Sequence, residues 1–177
     1  MTTSAAVAQL LATPEPPELG PGPRVGVQGQ SVLNSKLEEC FQKPGLPGAN
    51  QELIRALILL WHDHIEAAHG IAQEIDNADG AFIHGIVHRR EPDYGNAQYW
   101  FRRAHRHGAY AEIAERARTF LEASLMKKLM PNGHWDPLAF VDCCEEAASG
   151  KNSDSLVDVL RELQRIETEA LLGWFCK

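Results

Sequence analysis

Seven of the eight histidines lie between residues 62 and 107, and several fall at spacings that place side chains together. His62, Glu66 and His69 follow an i, i+4, i+7 pattern, which on a helix confines them to an arc of roughly 60°. His84, His88 and Glu91 repeat the same spacing. Two such rows on facing antiparallel helices would offer four imidazoles and two carboxylates. One chemistry that this set supports is a divalent metal held by His62, His69, His84 and His88. The other needs no metal: any of these histidines acts as general acid or base, oriented by Glu66, Glu91 or Asp93. Glu66-x-x-His69 has the order of half a di-iron bundle motif, but no second copy exists and His88-x-x-Glu91 runs in reverse. The plainer alternative is that both rows, lying off the apolar stripes of their helices, face solvent. His64 is turned about 200° from His62 on a regular helix and belongs with the core.

A second group is basic and aromatic. Arg89, Arg90, Tyr94, Tyr99, Arg102 and Arg103, with Trp100, Arg106, His105 and His107 nearby, could hold an anionic small molecule or a protein partner through bidentate arginine contacts. The competing reading is a solvated face paired with Glu91, Asp93 and Glu112. A formal net charge of −7 speaks against nucleic acid. No Gly-rich phosphate loop, GxSxG elbow, HExxH pair or dinucleotide fingerprint occurs.

The elements that must position these groups are helical. Asn50 and a stripe through Ile54, Ile58, Trp61, Ile65, Ala68, Ala72 and Ile75 predict one helix of about seven turns. Further helices are predicted over 31–43, 81–90, 94–107 and 110–130. Another begins with Asp136 as cap and Pro137 in its first turn, and the last is capped by Ser153. Residues 14–30 hold five of the ten prolines and four of the fourteen glycines, so residues 1–30 are expected to form a flexible arm ahead of a helical domain over 31–177. The apolar runs are too short for a membrane span, and the short apolar stretch from Ala5 to Ala12 lacks the cationic start of a secretory signal. Cys40, Cys143, Cys144 and Cys176 form no spaced pair and are expected to be reduced and packed, as in a cytoplasmic protein.

Gly85, His88, Asp93, Tyr94, Ala97, Phe101 and Ala104 occupy the small, aromatic and turn positions of a helical hairpin. On these residues the segment 81–107 resembles one tetratricopeptide or Sel1-type unit, which implies two antiparallel helices closing over small side chains. A shift by the family's period of about 34 residues sets Asp63 under Ala97 and Gln51 under Gly85, so one hairpin and no array is expected. The string from His84 to Ala97 is also similar to a family of small all-helical proteins, which implies the fold and no particular chemistry.

These observations point to an all-α fold, a single helical domain of about six helices with a tetratricopeptide-like hairpin at its centre. The expected role is a binding or interaction protein whose surface spans residues 62–107. The alternative is a small enzyme using the central histidines, with or without a divalent metal, on a small molecule.

Overall fold

Two stretches of the chain are too apolar or too enclosed to lie on a surface, and the fold is built around them. In the computed structural model, which describes residues 2–150 and 153–177, the described residues contain helices and no strand. In chain order the α-helices are α1 (Thr3–Ala8), α2 (Gln30–Phe41), α3 (Gln51–Trp61), α4 (Ile65–Ala72), α5 (Ala78–Arg90), α6 (Tyr94–Ala104), α7 (Ala109–Ala117), α8 (Ala123–Leu129), α9 (Pro137–Ala148) and α10 (Asp154–Phe175). Helix α3 buries Leu53, Ile54 and every residue from Ala56 to Trp61, as a helix apolar on all sides must. Helix α5 is buried from Gly80 to Arg90 without interruption. Helix α10 packs on α3, α7 and α9, while α6 closes over α5 and α9. None of these helices is long and apolar enough to cross a membrane.

The ten helices among the described residues correspond to the seven predicted segments with two of these broken and α1 added by the N-terminal segment. The predicted helix over 50–75 ends at Trp61. There the His64 amide donates to Leu59 O at 2.9 Å and the Asp63 amide to Leu60 O at 3.2 Å, the paired bonds of a Schellman stop. Asp63 takes the left-handed position of that motif, with φ at 65°, where glycine is usual. Burial pushes its carboxyl up, but the Arg24 amide and the Arg90 and Arg24 guanidiniums outweigh this and hold it below the ordinary carboxylate range. The predicted helix over 110–130 likewise separates into α7 and α8. The caps at Asp136 and Ser153 form as the sequence indicates, accepting from the amides of Leu138 and Ala139 and of Leu156.

The N-terminal arm is a correction of a different kind. Val7, Leu10 and Leu11 are buried, and the Pro-rich stretch lies on the helical body. Prolines forbid a continuing helix, yet the carbonyls of this stretch remain free to accept hydrogen bonds, and donors on the helical body use them. Gln164 Nε2 donates to Pro17 O and Glu18 O, both at 3.1 Å. Arg161 Nη2 reaches Pro16 O at 2.9 Å, and Arg90 reaches Gly20 O at 3.2 Å.

Helices α5 and α6 form a hairpin turned at Glu91–Asp93, with Asp93 accepting from the Asn96 amide. A Cβ at Gly85 would lie 3.0 Å from the Phe101 ring, so a larger residue here would press on that ring and force it to shift. Ala97 is 0% exposed. Ala97→Leu should therefore overpack the hairpin and lower unfolding free energy by about 1–3 kcal/mol in a urea titration. An unchanged midpoint would contradict this close approach.

Cys143 and Cys144 are buried on α9, and the described cysteines are all free. Burial raises both thiols, that of Cys144 to about 12, so neither offers a reactive thiolate.

Candidate metal centre

A helix buried on every side must find partners for each polar side chain it carries, and α5 carries four long ones at its C-terminal half. Two are the arginines expected to touch ligand. Arg89 is 0% exposed; its two terminal nitrogens clasp the Glu167 carboxylate of α10 at 3.1 and 2.5 Å, and its plane lies over Phe140, 4.4 Å from the ring centre. Arg90 is 1% exposed and donates to Leu60 O at 2.6 Å and to Asp63 at 2.7 Å. Both arginines are thus enclosed pairing elements of the core, which removes them from any ligand surface.

The other two, His84 and His88, are treated differently. They stand one turn apart with stacked rings, 4.9 Å between centres and 13° between planes. His69 of α4 meets both edge-on, at 4.6 and 5.0 Å. One ring nitrogen from each of the three lies within 4.8 Å of the others, and His69 Nε2 is 2.8 Å from His84 Nε2. The far side of this triangle is acidic. Glu91 lies 3.7 Å from His69 Nδ1 and 3.4 Å from His88 Nδ1, and Asp93 lies 3.7 Å from His88 Nδ1. Trp100 of α6 covers His84, with ring centres 3.9 Å apart.

The electrostatics keep His84 and His88 in the form that binds metal. Burial, then the nearness of His69 and His88, lowers His84 to about 4. Burial and His69 also lower His88, against an opposing pull from Glu91 and Asp93. Neutral rings carry free lone pairs. His84 Nδ1 and His88 Nδ1 are buried without a hydrogen-bond partner, a rare condition for core polar atoms. The cluster opens on one side: His69 and Glu91 side chains are 28% and 26% exposed. Glu91 also lines a groove of about 420 Å³ shared with Pro21, Asp63, His64 and Glu66.

Of the expected rows, His69, His84, His88 and Glu91 come together, while His62 and Glu66 do not. The Schellman stop at Asp63 rotates α4 away from α3 and destroys the presumed i, i+7 relation. His62 is 0% exposed and fully engaged, with Nε2 donating to Leu10 O at 2.7 Å and Nδ1 accepting from the Gln28 amide at 3.1 Å. Glu66 is exposed on α4. His64 donates from Nε2 to Gln28 O at 2.8 Å. Among the remaining candidates, Tyr94 is half-buried, Tyr99 is 49% exposed, and Arg102 and Arg103 are exposed. Arg103 pairs with Asp76 and lies over Trp100. His107 is wired into the core through Asp79, 2.7 Å away, which also accepts from Trp174 Nε1.

The sequence reading overlooked Tyr110, Arg118, His134 and Trp135, which line a larger cleft. Their separation along the chain left no shared spacing to detect. Compared with known protein families, curated proteins and solved structures, the chain matches none.

Proposed function

We propose that His69, His84 and His88 bind a divalent first-row transition metal of the zinc class, and that the protein performs metal-assisted chemistry on a small molecule entering beside Glu91. The observation that carries this reading is the convergence of three ring nitrogens within 4.8 Å, from two separate helices, in a half-buried setting. Three imidazoles leave a fourth tetrahedral position free, the pattern of catalytic rather than structural zinc sites. Such a metal lowers the pKa of a bound water and polarises substrate oxygens. Glu91 sits 3.7 and 3.4 Å from the Nδ1 atoms of His69 and His88, where a small closing movement would let its carboxylate fix the tautomer of a liganding histidine and raise its basicity. The groove next to Glu91 supplies access.

The hairpin that presents two of the three histidines is tetratricopeptide-like in our reading, supported by the packing of Gly85 against Phe101 and the buried Ala97. It serves here as a rigid holder for a site rather than as a unit of a peptide-binding array. Free, packed cysteines support a reducing compartment such as the cytoplasm.

Zinc titration of untagged, chelator-stripped protein tests the proposal. We expect one zinc per chain, with the unfolding temperature raised by about 5–10 °C when zinc is present at roughly a hundred times its Kd. His69→Ala, His84→Ala and His88→Ala should each weaken zinc by more than about a hundredfold, and Glu91→Gln by about 10–100-fold. The exposed His134→Ala should change nothing. Zinc bound substoichiometrically, or equally well by the three histidine variants, would leave the cluster as a hydrogen-bonded core pair with a neighbour.

A further inference from the structure

The chain has eleven arginines, and eight of them face a carboxylate: Arg24, Arg55, Arg89, Arg90, Arg103, Arg116, Arg161 and Arg165. Among the described residues the remaining three, Arg102, Arg106 and Arg118, make no ion pair, and all three line the same cleft of about 770 Å³. In a protein with a net charge of −7, chance pairing should reach some of them. The cleft lies between α6, α7 and the segment leading into α9, and it shares no residue with the histidine cluster.

Two donors enclosed behind its lining residues have no partner. Trp135 is 5% exposed, and neither its Nε1 nor the hydroxyl of Tyr110 has a hydrogen-bond partner. Burial, with Glu167 and Asp136 nearby, raises the Tyr110 phenol far above its ordinary range, so it keeps its proton and remains a donor. One acid, Asp136, lines the cleft, and its Oδ1 is occupied by the amides of Leu138 and Ala139 at 2.9 and 3.2 Å. Arg118 is held in place by donation to Gly133 O, and Arg102 by donation to Gln98 at 3.1 Å. The lining also includes apolar residues, among them Phe101, Ala114 and Leu138.

We propose that this cleft binds a small phosphate monoester carrying an apolar or aromatic body. Three guanidiniums suit the three terminal oxygens of a dianionic phosphate better than the two oxygens of a carboxylate. The volume lies within the range of small-molecule sites. The guanidiniums supply the polar contacts, and apolar lining residues such as Phe101 and Leu138 would take its body.

The probes are phenyl phosphate, inorganic phosphate and benzoate, each titrated into the full chain by NMR and calorimetry. Phenyl phosphate should saturate at one site per chain at millimolar concentration or below, and more tightly than either other probe. Arg106→Ala and Arg118→Ala should each weaken it about tenfold, the scale of one charged hydrogen bond, and the double variant should abolish binding. Lys36→Ala, remote from the cleft, should behave as the parent protein. Absence of saturable binding, or binding indifferent to the double arginine variant in folded protein, overturns the site. Benzoate or inorganic phosphate bound as tightly as phenyl phosphate overturns the ligand class.

Discussion

Asp63→Ala should destabilise the protein by about 3–5 kcal/mol, because it leaves two enclosed guanidiniums facing each other without a carboxylate. The Asp63 side chain is 1% exposed, and its partners Arg24 and Arg90 are 7% and 1% exposed. It accepts from Arg24 Nη1 at 2.6 Å, from the Arg24 amide at 2.9 Å and from Arg90 Nη2 at 2.7 Å. One carboxylate therefore ties the N-terminal arm, the end of α3 and the end of α5 together. Backbone and charge effects can be separated at this position. Asp63→Gly relieves the left-handed φ, worth about 1–2 kcal/mol, yet still strands both arginines, so it should remain clearly destabilised. A glycine variant as stable as the parent would show that the ion pairs contribute nothing and that the residue acts only as a helix stop. Acid should expose the same linkage. The folded carboxyl titrates below its unfolded value of about 3.9, so its contribution is complete above that value and is lost as pH falls through the folded pKa. In Asp63→Ala this part of the acid limb should flatten.

That position also explains what the sequence could and could not convey. The apolar spacing from Ile54 to Ile75 is genuine, and both α3 and α4 bury the predicted residues Ile54, Ile58, Trp61, Ile65, Ala68 and Ala72. The stop between them was hidden because its left-handed residue is an aspartate, compensated by arginines at positions 24 and 90 that no local window connects. The caps at Asp93, Asp136 and Ser153 were legible because they depend on contacts within about three residues. The arm was misread for the opposite reason. Its prolines correctly exclude helix, but the attachment of its carbonyls to Arg90, Arg161 and Gln164 is a long-range matter. Likewise the i, i+4 pair His84–His88 could be seen, and its meeting with His69 requires only that α4 face α5. The failure at His62 follows directly from the turn at Asp63. Arg89 and Arg90 looked like surface residues because charge usually marks surface; their burial depends on Glu167 and Asp63, far away in sequence.

Glu167→Ala is expected to be as damaging as any single change in the helical core. Arg89 and Glu167 are both 0% exposed, and the pair is bidentate, with Gln164 Oε1 a further acceptor at 3.4 Å. Phe140 and Phe101 place their ring faces toward the guanidinium at 4.4 and 5.8 Å, so water cannot readily replace the lost carboxylate. A cation left in that setting should cost about 3–5 kcal/mol, measured by urea unfolding. Arg89→Met should be comparably harmful, since it leaves the carboxylate of Glu167 equally enclosed. Combining Arg89→Met with Glu167→Leu removes both charges and keeps most of the volume, and should recover the parent stability or exceed it by about 1–4 kcal/mol. Such recovery would show that the pair adds no net stability. The histidine triangle supplies the independent readout. His88 precedes Arg89 on the same helix, so if the pair fixes the rotation of α5, the double variant should stay folded yet bind zinc more weakly than the parent. If zinc affinity is unchanged while stability recovers, the hairpin with α6 alone orients His84 and His88, through Gly85 against Phe101 and Trp100 against His84.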